Sequence, residues 1–215
     1  MIDKLKKAVE LCVSEDKMRP WMTVPFYASG WNAATNAHVL VGYKGEPVFD
    51  PCAASEESID RMNEWLSGKS KHRNSGTITI DDIQEAMDKW PLEDDYEQVK
   101  CSLCDGTGID DHPDDECFQC DGSGKVEGSK VVGKKPNITE KLFLEGVAYF
   151  MPGVWSKLLE VCKAIDATEL TITHGAETQF VRLEVKDSKC VIIIMPAHPL
   201  FAIDQGPFMV ITPKR

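Results

Sequence analysis

Cys101-Ser102-Leu103-Cys104-Asp105-Gly106-Thr107-Gly108 is followed, eight residues on, by Cys117-Phe118-Gln119-Cys120-Asp121-Gly122-Ser123-Gly124. These two stretches decide how the chain is organised. Each holds a Cys-x2-Cys pair, and twelve residues separate the pairs. Two residues between cysteines let both sulfurs reach one ion, and zinc prefers four thiolates in a tetrahedron. Four thiolates also close the coordination shell and leave no position for a catalytic water. The pattern therefore reads as one structural Zn2+ held by Cys101, Cys104, Cys117 and Cys120. Two redox pairs are the competing reading, and the matching spacing favours a shared ion. The Gly-x-Gly after each pair permits tight turns that aim backbone amides at the sulfurs. The segment spans about residues 97–128, and Gly128–Pro136, with Lys130, Lys134 and Lys135, reads as a flexible basic link.

Outward from the cysteines, the chain has the composition of an ordinary globular protein. It has 215 residues, 42% of them hydrophobic and 27% charged. No stretch approaches the roughly 20 apolar residues of a membrane helix, so no membrane partner is expected. Met1-Ile2-Asp3-Lys4-Leu5-Lys6-Lys7 lacks the apolar core of a signal peptide. Cys12, Cys52, Cys162 and Cys190 are scattered, and reduced thiols beside a metal site fit a reducing cytoplasm. The net charge of −11 argues against a simple nucleic-acid coat protein. There is no phosphate-binding glycine loop, no HExxH and no GxSxG, so no catalytic residue is assigned and the chain reads as a non-enzyme.

Residues 3–14 have helical periodicity, with Ile2, Leu5, Ala8, Val9 and Cys12 on one face. Residues 21–28 and 31–43 read as strands, with a turn or bulge at Asn36. A helix follows Ser55 and stops at Gly68. Thr77–Ile80 reads as a strand, after which Asp81 caps a helix ending at Pro91. Residues 142–150 read as a strand, and Pro152-Gly153 opens a helix with Val154, Leu158, Cys162 and Ile165 inward. Leu170–Thr173 and Phe180–Val185 pair as a hairpin. Val191–Met195 is a continuous apolar strand, and Phe208–Thr212 adds another.

The CxxCxGxG repeats resemble the cysteine-rich module of DnaJ-type chaperones, in which two such pairs share one zinc. The rest resembles the bacterial DNA polymerase sliding clamp, the beta subunit. Three features carry this: helix 3–14 followed by Arg19-Pro20 and a strand; Ala34-Thr35-Asn36-Ala37-His38-Val39-Leu40, similar to the family's Ala-Thr-Asp-Gly-His-Arg-Leu; and Val191-Ile192-Ile193-Ile194-Met195-Pro196, similar to its closing Met-Pro. Asn36, Ala37 and Val39 depart from the family pattern.

The resemblance implies an α+β fold, a single DNA-clamp-like domain in which a repeated helix-plus-strands unit packs two helices on an antiparallel sheet. Residues 1–50 and 137–215 would form that domain, and 51–136 would be an insertion with two helices and the zinc ribbon. Clamp helices face DNA through lysine and arginine, which implies Lys4, Lys7, Arg19, Lys157 and Lys163 as DNA-binding residues. The implied partners are double-stranded DNA, a polymerase or other protein, and further copies of the chain, because clamp domains join edge strand to edge strand. The implied function is a processivity or recruitment factor; the alternative is a zinc-ribbon protein adaptor that uses the same scaffold without touching DNA.

Overall fold

The computed structural model describes residues 1–68, 72–109, 115–137, 142–144, 147–175, 180–196 and 209–214. In chain order the elements are α1 (Ile2–Glu10), β1 (Phe26–Ala28), β2 (Trp31–Thr35), β3 (Val39–Lys44), α2 (Glu56–Ser67), β4 (His72–Thr79), α3 (Ile80–Asp88), β5 (Leu92–Lys100), β6 (Lys125–Pro136), β7 (Leu142–Leu144), β8 (Ala148–Phe150), α4 (Pro152–Ala164), β9 (Glu169–Gly175), β10 (Val181–Val185), β11 (Cys190–Ile194) and β12 (Met209–Ile211). They form two compact units, Met1–Trp90 with Ile138–Arg215, and Pro91–Asn137.

The larger unit is built on a seven-stranded antiparallel sheet in the order β1-β2-β3-β11-β10-β9-β4. Its first six strands read the same from either end. One helix and three strands, α1 with β1–β3, meet a second set, α4 with β9–β11, at the antiparallel pair β3–β11. The sequence carries a trace of this repeat. Lys7-Ala8-Val9-Glu10-Leu11-Cys12 and Lys157-Leu158-Leu159-Glu160-Val161-Cys162 share Lys, Glu and Cys at equal spacing with apolar residues between. The repeated helix-plus-strands unit implied by the clamp resemblance is thus present.

Both faces of the sheet are covered, which is why β11 is apolar throughout. Cys190, Ile192 and Ile194 face α1, α3 and α4 with Leu5, Val9, Ile83, Trp155 and Leu158. Val191 and Ile193 face α2, with Leu40, Met62 and Leu66. Helices α1 and α4 therefore lie on the same side of the sheet, as expected. Trp31 and Trp155 are core residues. Burial pushes the thiols of Cys12 and Cys162 up to about 12 and that of Cys190 up as well, so all three are neutral packing groups.

Several elements differ from the sequence reading. The strand expected over 31–43 is the hairpin β2–β3, because the Asn36 side chain accepts hydrogen bonds from the amides of His38 and Val39 and closes a turn. Residues 20–22 form a short 3-10 turn, so strand begins only at Phe26. Helix α3 is capped by Thr79, not Asp81: Thr79 and Asp82 exchange side-chain and backbone hydrogen bonds in a capping box. The strand expected over 142–150 is the pair β7–β8. Residues 51–90, read as part of an insertion, contribute α2, β4 and α3 to the larger unit, and the smaller unit begins at Pro91. Phe208 lies outside the described residues.

Helix α2 is tied to the sheet at its C-terminal end. Arg182, on β10, is 8% exposed and donates from Nη2 to the Leu66 carbonyl (3.3 Å) while Nη1 pairs with Glu184. A cation at this position satisfies a terminal carbonyl and complements the helix dipole. Replacing Arg182 with Leu should cost about 1–3 kcal/mol, the range for a buried carbonyl left without its donor. Urea denaturation measures the loss, and amide exchange in α2 should speed up before that in β10.

Candidate metal centre and binding groove

The smaller unit is the two-stranded ribbon β5–β6, with the cysteines in the connection between its strands. Gly128–Pro136 belongs to β6 and is not a free link. Two of its lysines pair with the acids of β5, Lys134 with Asp94 and Lys135 with Glu93 (3.8 Å) and Asp95 (3.9 Å), while Lys135 also meets Glu127 on its own strand (3.1 Å). The Asn137 amide closes the base of the ribbon on the Pro91 carbonyl (2.9 Å).

At the far end the two CxxCxGxG turns face each other about a local two-fold. Cys101 N–H donates to the Gly124 carbonyl and Cys117 N–H to the Gly108 carbonyl, each at 2.9 Å. Gly108 N–H points at Cys104 Sγ (3.3 Å) and Gly124 N–H at Cys120 Sγ (3.2 Å). Thr107 and Ser123 hydroxyls donate to the carbonyls of Cys104 and Cys120. The turns are in van der Waals contact. A Cβ on Gly108 would lie 2.2 Å from the Gly122 carbonyl oxygen, and one on Gly124 would lie 2.4 Å from that of Gly106. Glycine is required here for close approach as much as for its positive φ.

The four sulfurs are buried and lie within 4.8 Å of one another. Cys101 and Cys117 Sγ are 3.9 Å apart, and Cys104 and Cys120 Sγ are 3.7 Å apart. A tetrahedron with metal–sulfur bonds of about 2.3 Å has edges of about 3.8 Å. The four cysteines together can hold one metal ion. Among the described residues, half-buried Val126 is the hydrophobic side chain packed against them. Burial raises the Cys104 thiol, but the Gly108 amide and the neighbouring thiols outweigh it and hold Cys104 down to about 6. The Gly108 amide thus favours the anionic sulfur at Cys104, whereas burial pushes the Cys117 thiol up to about 12.

Of the residues implied to face DNA, Lys4 and Lys7 are on α1 and Lys157 and Lys163 on α4, within one helical layer. Lys4 pairs with Asp166, Lys157 with Glu160 (2.6 Å), and Lys163 donates to Gln84 (2.9 Å). Neighbouring α3 adds Asp81, Asp82, Glu85 and Asp88. Arg19 is not with the lysines. It pairs with Asp16 (2.7 Å) and lines a groove with residues of α2.

That groove, about 250 Å³, brings together parts of the chain that the sequence reading quoted separately. Thr35, Ala37 and Leu40 come from the 34–40 motif, and Met195 from the Met-Pro that follows β11. They are fixed to each other by Met195 N–H donating to the His38 carbonyl (2.9 Å). Trp21 and Met22 enclose it from one side, Met62 and Trp65 from the other, and Arg19 and Arg61 also line it. In sequence an apolar helical stripe that holds Met62 and Trp65 looks the same as a core face, so the α2 contribution carries no signal of its own.

Comparison with models of protein families finds no match, nor does comparison with curated protein sequences. Among solved structures, the chain is similar to the DNA polymerase sliding clamp from Bacillus subtilis, at 12% identity and a TM-score of 0.46, over 92% of this chain and 62% of that one. The DNA polymerase III beta chain from Streptococcus pneumoniae TIGR4 matches at 13% identity with the same TM-score and coverage. The chain spans less than two thirds of the length of these clamps.

The close approach of the two turns makes a sharp test. Gly108→Ala should weaken metal binding by at least about tenfold in chelator competition. Gly133→Ala, where a Cβ meets nothing within 4 Å, should leave it unchanged.

Proposed function

We propose that the protein is a non-enzymatic, clamp-like recruitment factor. Its groove docks a short peptide segment of a polymerase or other partner protein, and its four cysteines hold one structural zinc ion. The observation that carries this reading is the meeting of Thr35, Ala37 and Leu40 with Met195 in one groove. These residues belong to two of the three features on which the clamp resemblance rests. The walls are Met and Trp, side chains that adapt to an apolar segment. Arg19 and Arg61 suit a segment that also bears a carboxylate.

Selection from a random-peptide library on the immobilised protein tests the groove. The selected peptides should carry large apolar residues with an acidic one. Their affinity should fall at least about tenfold in Ser58→Trp, which fills the groove, and in Arg61→Glu. Peptides that bind both variants as they bind the parent would remove the groove from the function. For the metal, elemental analysis should find about one zinc per chain. Its release by an organomercurial should track four thiols, while Cys12 and Cys162 stay silent.

A second reading, contact between the helical layer and duplex DNA, is favoured by the repeat, which puts Lys7 and Lys157 at equivalent positions on α1 and α4. Lys4, Lys7, Lys157 and Lys163 would then bind phosphate without regard to sequence. In that case Lys7→Ala lowers the salt slope of binding by about one unit for every duplex tested. An unchanged slope leaves the adaptor role, with no DNA contact.

A further inference from the structure

The eight thiols of the chain fall into two populations. Cys12, Cys162 and Cys190 are sealed in the core of the larger unit, where burial keeps them neutral. Cys52, in the connector between β3 and α2, is half-buried, and burial raises its thiol too. The other four meet at the end of the ribbon. A metal-bound sulfur is a thiolate, and the thiolate is the form that a peroxide oxidises. Oxidation chemistry is therefore directed to the ribbon and away from the sheet.

Within the centre the four sulfurs are not equivalent. The local two-fold relates Cys101 to Cys117 and Cys104 to Cys120. Cys101 and Cys117 are 0% exposed, whereas Cys104 and Cys120 are 9% and 7% exposed and form its solvent edge. Their sulfurs are 3.7 Å apart, so a shift of about 1 Å by each reaches the bonding distance of a disulfide. They belong to different turns, 16 residues apart. A bond between them joins the two turns instead of closing one Cys-x2-Cys loop. Each also accepts an amide from its own turn, Gly108 at Cys104 and Gly124 at Cys120.

We propose that the four-cysteine centre is a redox switch whose first disulfide joins Cys104 to Cys120. The inference rests on the reading of these cysteines as one zinc site. The oxidant is a hydroperoxide. One outer thiolate attacks its O–O bond and becomes a sulfenic acid, and the leaving oxygen takes up a proton. The second outer thiolate attacks that sulfur, and hydroxide departs and is protonated to water. For hydrogen peroxide, two thiolates, one peroxide and two protons give one disulfide and two waters. Disulfide sulfurs are uncharged, so half of the donor set is lost and the Gly108 and Gly124 amides face weaker acceptors. Cys101 and Cys117 alone cannot complete a tetrahedral site, and release of the ion follows. The ribbon is two strands with little apolar packing at the centre, and such a hairpin is marginal without its clamp. The larger unit has two apolar clusters of its own and keeps its structure.

Peroxide titration of the full, zinc-loaded chain tests this. Elemental analysis comes first: a chain without zinc overturns the zinc reading, and the switch with it. With about one zinc present, only the switch is under test. A chromogenic chelator then follows zinc release, and mass spectrometry after alkylation maps the disulfides. The Cys104–Cys120 disulfide should form first and in step with zinc release, while Cys12, Cys162 and Cys190 remain thiols. Amide exchange in β5 and β6 should quicken at least about tenfold, with β10 and β11 unchanged. Dithiothreitol with added zinc should reverse both. A first disulfide within either Cys-x2-Cys pair would overturn the proposal. So would zinc that stays bound after Cys104 and Cys120 have joined, or oxidation that begins at Cys52.

Discussion

The antiparallel pairing of β3 with β11 is the constraint on which the larger unit depends. It sets Val39, Val41 and Tyr43 opposite Ile194, Ile192 and Cys190, residues far apart in sequence. Closing so long a loop is costly in chain entropy, but the cost grows only logarithmically with length. A ribbon inserted between the two halves therefore adds little to it. The return lies in the packing that this one pairing brings into register: α1 against α4 over one face, and Leu40, Val191 and Ile193 against α2 on the other. A one-residue slip would turn the Ile192 and Ile194 face toward α2. Val39 and Ile194 also end together, which brings the 34–40 turn to the start of the Met-Pro segment. The groove is thus a consequence of the register.

How far this was legible depends on the kind of signal. Val191–Met195 was legible as a continuous apolar strand, and the stripes of α1 and α4 announced a common surface, because burial writes itself as a pattern of apolar residues. Ser55 and Gly68 marked both ends of α2 through capping chemistry. The hairpin turn at Asn36 was half visible. Its asparagine was noticed, but Ala37 at a φ of +74° conceals a position that glycine would have advertised. The boundary of the insertion was not visible at all. Helices α2 and α3 are amphipathic wherever they pack, and periodicity says nothing about which sheet they cover.

The ribbon inverts this balance. Its cysteine spacing is the strongest local signal in the chain, because four sulfurs on one ion tolerate few geometries, and the local two-fold follows from the repeated CxxCxGxG. Its strands were nearly silent. β5 is acidic and β6 is basic and glycine-containing, which in sequence looks like solvated linker. Opposite charge across the strands, Asp94 with Lys134 and Glu93 with Lys135, takes part of the place that apolar alternation fills in a buried hairpin. Each such pair is weak, and an isolated two-stranded ribbon is marginal in water. A metal ion held by the four cysteines at one end would therefore matter more here than in a unit with a core of its own.

The helical layer marks where inference from sequence gives out. The lysines on α1 and α4 were read from two helices considered alone, and on those helices they do lie away from the apolar stripe. What no helical wheel supplies is the neighbour. Helix α3 packs against the same core and brings four carboxylates and no cation of its own, while Asp166 and Glu160 engage Lys4 and Lys157. The potential over a surface is the sum of every element that shares it. The groove is better placed as a functional feature for the opposite reason. Its apolar walls come from the 20–22 turn, the β2–β3 hairpin, α2 and the segment after β11, which only the fold assembles, and Arg19 and Arg61, paired with Asp16 and Glu57, lie beside them. A surface that gathers Trp21, Met62, Trp65 and Met195 around open space leaves apolar area uncovered that a fold content with its own core would have closed.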